Sequence, residues 1–523
     1  MIASMEVFDH KKTFVQTIID NCKLFGNRTA FIDANSGESI SFNDLLRKSI
    51  KLSKVLTEMD FKKDDIAAIC MDNNIHYPII FMACLFNGIA LHCINPKSTI
   101  FEFERFLGMS KPMVIFTYDF TYPIISLIKE KFNLIHIIIN STNIVNCVNL
   151  KEIFNAEEEF IDFSPVTIEP KEQVALIMNS SGTTGTSKAV EMTHENLTNL
   201  INFYGIPRFI SCDVDDVSIA VCPFYHLYGI IIFVNTLLTG IVNVVMTKFK
   251  KDTYLKLIES YKATVLFIVP PIATLLVKSS ITDNYNLSSV KAVFSCAAPL
   301  AGDVQDTLNK KLNVTIQQLY GMTEMSGVVT AFPNDTSGHK KAGCVGILIP
   351  GLLGMVKDLN GNTALGPNQP GELCFKGKFI MKGYLNNSAA TSMMFNDNSF
   401  LMTGDLGYYD EDGYFYVIDR LKELIKHKGF QVAPAELEDI INSHPGVSDC
   451  AVVGKPDEIA GELPIAFVVK QLNCDVSEQD IKDHVALHVS NEKQIHGGVR
   501  FLEEIPKTES GKILRKNLRL LVS

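Results

Sequence analysis

Short apolar runs alternate with amphipathic segments through the first 250 residues, and this alternation constrains the fold more than any other feature. Residues 13–25 carry apolar side chains at helical spacing, and 41–56 predict a second helix with Ser41 as its N-cap. Apolar runs at 66–71 and 112–117 predict buried strands. Helices that alternate with buried strands are typical of an α/β fold with largely parallel sheets.

Two longer apolar stretches, 77–94 and 227–246, resemble membrane spans at first sight. A spanning helix needs about 20 predominantly apolar residues. Gly88 and Gly240 interrupt the two stretches where a helix could end and a buried strand begin. We therefore predict a core helix followed by a strand in each stretch, and no transmembrane segment.

Three further strands are predicted at 264–271, 291–300 and 314–324, the first stopped by two prolines and the last ending in a glycine turn. Each strand is followed by polar, small or glycine residues, which predicts one crevice at their carboxyl ends. From about residue 345 glycine and turn signals indicate a small β-rich subdomain, and a compact α/β unit follows a boundary near residues 419–421.

Bulk composition limits the classes of function. The net charge is −10 and the pI about 5.7, which argues against a general nucleic-acid binder. The 12 cysteines include no C-x-x-C pair, so zinc and redox motifs have no support. The first residues contain no apolar signal-peptide core and the last three are no peroxisomal tripeptide, so we expect a reducing, cytoplasmic location, with the peroxisome as the alternative.

The segment 180–188, SSGTTGTSK, follows the apolar run VALIM. Its glycines let backbone N–H groups approach phosphate oxygens, its hydroxyls add donors, and Lys188 adds charge. No Walker A pattern fits, because Ala189 follows the lysine. The next residues, AVEMTHENL, indicate a second strand, so we predict a strand–loop–strand phosphate site. The alternative from composition alone is a flexible polar surface loop.

Seven motifs in this order resemble the adenylate-forming superfamily of acyl-CoA synthetases, 4-coumarate–CoA ligases, beetle luciferases and nonribosomal adenylation domains. They are SSGTTGTSK, CPFYHLYG, SCAAPL, QLYGMTE, TGD, DRLKELIKHKGFQV and PKTESGKILRK. The resemblance covers essentially the whole chain and is nearest to the luciferase-like acyl-CoA ligase branch. It implies an adenylation domain (1–419), a hinge (420–422) that includes Lys422, and a mobile C-terminal domain (423–523).

The resemblance also implies roles for individual residues in ATP binding. Tyr320 would stack on adenine, Asp405 would accept the ribose hydroxyls, and Arg420 would pair with the ribose end or with Asp405. Thr323 would touch the α-phosphate, and Glu324 would hold Mg²⁺. The other nucleotide-binding residues implied are Ser180, Ser181, Gly182, Thr183, Thr184, Gly185, Lys188, Ser295, Cys296, Ala297, Ala298, Gln318 and Gly321.

The implied reaction joins two anions, since a carboxylate attacks the α-phosphorus of ATP and pyrophosphate leaves. A fixed cation must stabilise the charge that develops, and Lys512 near the C-terminus resembles the catalytic lysine of the family. Rotation at the hinge would then withdraw Lys512 and present Lys426, Gly429 and Gln431 to the adenylate and the thiol of coenzyme A.

The acid pocket is expected to include His226, which would follow the substrate carboxylate, together with Tyr225, Tyr228 and Gly327. These residues favour a hydrophobic acid, fatty or aromatic. The chain departs from the family pattern at four positions, none of them a charged catalytic group: Ser187 replaces the usual proline, Cys296 and Leu319 each replace a glycine, and Lys376 replaces an arginine.

Three other functions share parts of this pattern. A luciferase-type oxygenase would use the same adenylation site, but LYG follows His226 where beetle luciferases carry a different motif. A carrier-loading adenylation domain would be expected beside a carrier segment, which is not apparent. A protein that only binds nucleotide would not need Lys188, Glu324 and Lys512 together.

Overall fold

The computed structural model describes residues 2–3, 12–132, 136–140, 144, 147–155, 163–180, 187–204, 209–210, 212–300, 302–314, 316–333, 341, 343–428, 430–508 and 511–522. The helices are α1 (Phe14–Phe25), α2 (Phe42–Glu58), α3 (Tyr77–Phe86), α4 (Ile100–Ser110), α5 (Tyr122–Ile128), α6 (Leu150–Asn155), α7 (His194–Tyr204), α8 (Leu227–Thr239), α9 (Lys251–Tyr261), α10 (Pro270–Lys278), α11 (Gly302–Leu312), α12 (Ser388–Ser392), α13 (Pro434–Ser443), α14 (Glu478–Ala486) and α15 (Arg515–Arg519).

Strands are distributed along the whole chain. Those up to residue 331 are β1 (Ile2–Ala3), β2 (Thr29–Asp33), β3 (Ser39–Ser41), β4 (Ile66–Ile69), β5 (Ala90–Cys93), β6 (Val114–Tyr118), β7 (His136–Asn140), β8 (Val148–Asn149), β9 (Val174–Ser180), β10 (Lys188–Thr193), β11 (Val217–Ala220), β12 (Val242–Val245), β13 (Val265–Ile268), β14 (Ala292–Ser295), β15 (Ile316–Gln318), β16 (Tyr320–Met322) and β17 (Gly327–Ala331). The later strands are β18 (Ile347–Leu348), β19 (Leu352–Lys357), β20 (Gly371–Gly377), β21 (Gly383–Tyr384), β22 (Leu401–Tyr409), β23 (Phe415–Arg420), β24 (Ile425–His427), β25 (Phe430–Val432), β26 (Val447–Asp457), β27 (Gly461–Lys470) and β28 (Val499–Phe501).

Two large sheets form the first part of the chain and confirm the α/β prediction. One has the strand order β21-β10-β9-β5-β4-β6-β7-β8, parallel from β9 to β8. The other has the order β15-β14-β13-β11-β12-β2-β3, parallel from β15 to β2. Parallel strands need crossover connections, and helices such as α3, α8 and α9 supply them.

The two apolar stretches fold as predicted. The first forms α3 and then β5, and the second forms α8 and then β12, with every α3 side chain buried. Gly240 ends α8 at φ 82°, a left-handed conformation that favours glycine. Throughout the described part of the chain, no helix is long and apolar enough to cross a membrane.

The predicted N-cap at Ser41 is confirmed, and Thr13 caps α1 in the same way, although no cap was predicted there. The Thr13 side chain accepts a hydrogen bond from the Gln16 N–H at the start of α1, and the Ser41 side chain accepts one from the Asp44 N–H at the start of α2.

Two predicted strands need correction. The prolines after β13 do more than stop it, because Pro270 and Pro271 form the first turn of α10, where no N–H donor is needed.

The second correction concerns residues 314–324. They do not form one strand, because the chain leaves β15 at Leu319 and enters β16, which pairs antiparallel with β17 in a separate three-stranded sheet. A five-stranded sheet of order β1-β19-β20-β22-β23 forms the β-rich subdomain. The last hundred residues build a five-stranded sheet with a buried core of their own, including Val452, Ala466 and Val468.

Candidate active site

The ends of β9 and β10 flank the predicted phosphate loop. The two strands are antiparallel, with Ser180 opposite Lys188, so strand–loop–strand replaces the strand–loop–helix of a Walker site. Ser187 follows the loop, and its carbonyl accepts a hydrogen bond from Arg105. Residues 181–186 lie outside the described residues, and with them the predicted positions Ser181, Gly182, Thr183, Thr184 and Gly185.

The carboxyl ends of β13, β14 and β15 lie side by side, as the three strands are neighbours in one parallel sheet. Parallel strands place their carboxyl ends at the same edge of the sheet, where ligands of open α/β folds bind. The segment from Ser295 to Ala298 and the turn after Gln318 therefore share one edge, as predicted.

Gln318 braces this edge from inside the protein. Its side-chain oxygen accepts a hydrogen bond from the Leu300 N–H at 3.2 Å, and its nitrogen donates to Gln305 at 2.9 Å. Ala297 has φ 78°, a left-handed conformation rare for a residue with a Cβ. Burial raises the pKa of the neighbouring Cys296 thiol to about 11, so this cysteine is neutral near pH 7.

The predicted ribose site joins Asp405 to two other predicted residues. The Tyr320 hydroxyl donates to one Asp405 oxygen at 2.6 Å, and Arg420 Nε lies 2.7 Å from the other. Burial raises the pKa of Asp405, and the Arg420 charge opposes that shift. Gly404, at φ 70°, directly precedes Asp405 in β22.

Glu324 lies in a short 3-10 turn (Thr323–Met325) directly after β16, and its side chain is buried. One carboxylate oxygen accepts hydrogen bonds from the Ser180 hydroxyl at 2.7 Å and the Tyr384 hydroxyl at 3.0 Å. The Lys188 ammonium lies over the Tyr384 ring, 4.6 Å from its centre. Across the described ranges, Glu324 forms no ion pair and its second carboxylate oxygen accepts no hydrogen bond.

His226 immediately precedes α8 and lies beside Tyr225, with ring centres 4.8 Å apart. Burial, together with the positive charge of Lys512, lowers the pKa of His226 to about 4. The imidazole is therefore neutral at pH 7. The Tyr228 hydroxyl lies 3.2 Å from the Phe294 carbonyl, which ties α8 to β14.

Gly321 of β16 lies close to Gly327 of β17, one position from its register partner Val328. A Cβ on Gly321 would lie 1.8 Å from the Gly327 carbonyl oxygen, so the two strands approach too closely for any side chain there. A Cβ on Gly327 would lie 2.7 Å from Ile231 of α8, and its φ is 129°. The Ile231 side chain thus occupies the space that a side chain on Gly327 would need.

Lys512 enters this edge from the C-terminal unit. The Gly511 backbone packs closely on α10, since a Cβ there would lie 2.9 Å from Pro271. Three residues on, Arg515 Nη2 donates to Glu438 at 3.0 Å and anchors α15 to α13. The Lys512 side chain is accessible to solvent, yet protein surrounds it closely enough that desolvation and the Arg420 charge lower its pKa.

The residues predicted to act in the thioester step lie in a different part of the C-terminal unit from Lys512. Lys426 and Gln431 are opposite each other in the β24–β25 hairpin, and both are exposed. Lys422 lies between β23 and β24 and is exposed, with its ammonium 3.8 Å from Glu423. Gly429 lies outside the described residues.

A family model for the AMP-binding enzyme matches residues 19–385, and the model for its C-terminal domain matches residues 436–512.

The chain belongs to the AMP-binding enzyme family.

This AMP-binding enzyme is similar in sequence to proteins of two different names. It is 36% identical over 499 residues to luciferin 4-monooxygenase from Nipponoluciola cruciata, covering 94% of this chain and 90% of the relative. It is 34% identical over 531 residues to probable 4-coumarate–CoA ligase 1 from Dictyostelium discoideum, covering 97% and 95%.

Among solved structures, ATP-bound MatB from Rhodopseudomonas palustris superposes with a TM-score of 0.87 at 26% identity, covering 97% of this chain and 98% of MatB. The apo form of the same protein, over the same coverage, gives 0.78. The structure of this AMP-binding enzyme therefore superposes better on ATP-bound MatB than on apo MatB.

One residue of the site escaped the sequence analysis. Tyr384 contacts both Lys188 and Glu324, which belong to different motifs. It follows Gly383 in β21, which pairs with β10 beside the phosphate loop. The sequence signal was only an aromatic residue after a glycine, and the pairing of strands far apart in sequence brings it to the site.

Proposed function

We propose that this AMP-binding enzyme activates a hydrophobic carboxylic acid with ATP to an acyl-adenylate and then transfers the acyl group to coenzyme A. The observation that carries the proposal is the position of Lys512. The charges of Arg420, Asp405 and Glu324 all act on its ammonium, so this cation of the C-terminal unit lies within electrostatic range of the predicted ribose and metal carboxylates. Such a cation stabilises the negative charge that develops at the α-phosphorus.

Glu324 fits a magnesium ion by the chemistry of its surroundings. Its buried carboxylate is held by two neutral hydroxyls, and within the described residues its second oxygen has no protein partner. Mg²⁺ prefers carboxylate and phosphate oxygens and commonly binds through one or two carboxylates together with substrate phosphates. Bound Mg²⁺ would neutralise part of the triphosphate charge, and Ser180 and Tyr384 would orient the carboxylate that holds it.

The acid is proposed to bind beside His226. Because the imidazole is neutral at pH 7, it can donate one hydrogen bond to a carboxylate without forming an ion pair that would quench its nucleophilicity. Tyr225 is buried beside it, and Cys296 is a buried neutral thiol. These surroundings suit an apolar acyl or aryl group.

The thioester step is proposed to follow a rotation of the C-terminal unit about Lys422. Lys426 and Gln431 are exposed while Lys512 is directed toward the site, which supports an exchange of the two faces between steps. The 12 cysteines are all free, which supports a reducing compartment, and we place the enzyme in the cytoplasm.

The test is pyrophosphate release from MgATP with a panel of medium-chain, long-chain and cinnamate-like acids, with and without coenzyme A. Release with one acid class, together with a CoA thioester found by mass spectrometry, is expected. A parallel assay with luciferin measures light emission, since a relative is a luciferin 4-monooxygenase. Light without thioester would favour the oxygenase, and no pyrophosphate with any acid would contradict the proposal.

A further inference from the structure

Tyr384 stands between the two charged groups that the proposed mechanism assigns to ATP. Its hydroxyl donates to Glu324 at 3.0 Å, and its ring lies under the Lys188 ammonium at 4.6 Å. The side chain is 5% exposed, so both contacts are made inside the protein. The residue therefore contacts the lysine and the carboxylate at once, through different parts of its side chain.

The backbone holds Tyr384 firmly in this position. β21 pairs antiparallel with β10, and Tyr384 is opposite Val190, two residues after Lys188. The Tyr384 N–H donates to the Thr391 hydroxyl at 2.9 Å. The ring is thus fixed to the strand that carries the lysine, and its hydroxyl is directed at the turn that carries Glu324.

Lys188 and Glu324 form no ion pair with each other. A direct ion pair would occupy both groups and oppose their binding to phosphate and to a cation. An aromatic ring attracts an ammonium without neutralising it, and a hydroxyl orients a carboxylate without cancelling its charge. Both groups therefore keep their charge for the ligand.

We propose that Tyr384 is a positioning residue that holds the phosphate-loop lysine and the metal-binding carboxylate apart and in register for MgATP. This inference rests on the proposed function, because it assumes that Lys188 meets phosphate and that Glu324 meets Mg²⁺. The hydroxyl, through Glu324, would determine how strongly nucleotide binding depends on Mg²⁺. The ring, through Lys188, would contribute to the affinity for the triphosphate.

Two substitutions separate the hydroxyl from the ring. Tyr384→Phe keeps the ring and removes the hydrogen bond to Glu324, whereas Tyr384→Leu removes both contacts. Tyr409→Phe is the matched control, since Tyr409 is also a buried tyrosine whose hydroxyl donates to a main-chain carbonyl remote from this cluster. Calorimetry measures ATP binding by the full chain over a range of Mg²⁺ concentrations, and thermal denaturation confirms that each variant is folded.

For Tyr384→Phe we expect the Mg²⁺ midpoint for ATP binding to rise about three- to tenfold, with the Kd at saturating Mg²⁺ within about twofold of wild type. For Tyr384→Leu we expect the Kd at saturating Mg²⁺ to rise about tenfold as well. The control should leave both quantities unchanged even if its Tm falls.

A lower Tm for Tyr384→Phe with an unchanged Mg²⁺ midpoint would show a merely structural tyrosine and would overturn the inference. Equal effects of Phe and Leu on both quantities would also overturn it, because the two contacts would then not be separable. If the wild-type chain bound no ATP at any Mg²⁺ concentration, the proposed function itself would fail. If the wild-type chain binds MgATP, the proposed function stands, and a negative result with the variants would contradict only the role of Tyr384.

Discussion

The Tyr320 hydroxyl donates a 2.6 Å hydrogen bond to the Asp405 carboxylate. The residue expected to stack on adenine is therefore joined to the residue expected to bind ribose. Arg420 contacts the other carboxylate oxygen. An ionised carboxylate offers about four acceptor positions, so Asp405 keeps capacity for ribose hydroxyls while both protein partners remain in place.

This relationship predicts unequal effects of two substitutions on ATP binding. Asp405→Ala removes the ribose acceptor and leaves Arg420 without its partner, so the Kd for ATP should rise about tenfold or more. Tyr320→Phe keeps the ring and should change the Kd for ATP by less than about threefold. Calorimetric titration measures both, with Asp412→Ala as an exposed control. An unchanged Kd in Asp405→Ala would refute the ribose assignment.

Lys512→Ala should lower the rate of acyl-adenylate formation by about 100-fold or more, because it removes a cation whose charge reaches Asp405 and Glu324. Thioester formation from a supplied acyl-adenylate should stay within about twofold of wild type. The two half-reactions are measured separately. Lys516→Ala is the control, as Lys516 is an exposed lysine four residues on in α15. Equal losses in both half-reactions would show that the role of Lys512 is misplaced.

Lys278, at the end of α10, connects the two parts of the chain. Its ammonium donates to the Val447 carbonyl at 3.1 Å and to the Asn442 carbonyl in the last turn of α13 at 3.4 Å. A cation is favourable at a helix C-terminus. Since the start of the same α10 contacts Gly511, Lys278→Met should loosen the docked arrangement.

We expect Lys278→Met to slow adenylation about three- to tenfold and to leave the thioester half-reaction unchanged. Lys310→Met, which alters an exposed lysine of α11, should change neither rate. Small-angle scattering of the ATP-bound chain would report the loss of docking independently. A slower thioester step would mean that the contact serves both arrangements.

Buried histidines should make the fold sensitive to acid. His194 is fully buried, neither ring nitrogen has a hydrogen-bond partner among the residues that the structure describes, and burial lowers its pKa to about 4. Unfolded histidine titrates near 6.5, so the unfolded state binds the proton first as the pH falls. This histidine alone should therefore reduce the free energy of unfolding by about 2 kcal/mol between pH 7 and pH 5.

The substitution His194→Leu should remove the contribution of this histidine to the loss of stability between pH 7 and pH 5. Urea unfolding at pH 7 and pH 5 measures it as a smaller difference between the two free energies of unfolding. A variant that loses as much stability as wild type over this range would show that His194 does not account for the acid sensitivity.

Several features of this protein were predictable residue by residue. Thr13 and Ser41 cap helices because their hydroxyls satisfy N–H groups of the first turn, which is a local interaction. The buried β5 and β12 follow helices because Gly88 and Gly240 allow a left-handed turn. The order of motifs predicted which short segments at strand ends would form the nucleotide site.

Interactions between segments distant along the chain decided the rest. Nothing near Gly383 shows that Tyr384 contacts Lys188 and Glu324, because β21 reaches them only by pairing with β10. The space beside Gly327 is filled by Ile231 because α8 packs against β17. The sequence by itself determined the α/β architecture, the caps and the chemical groups available, as these depend on local spacing and side-chain type. Only the tertiary structure decided which groups meet, because strand pairing and helix packing join residues whose separation in sequence carries no signal.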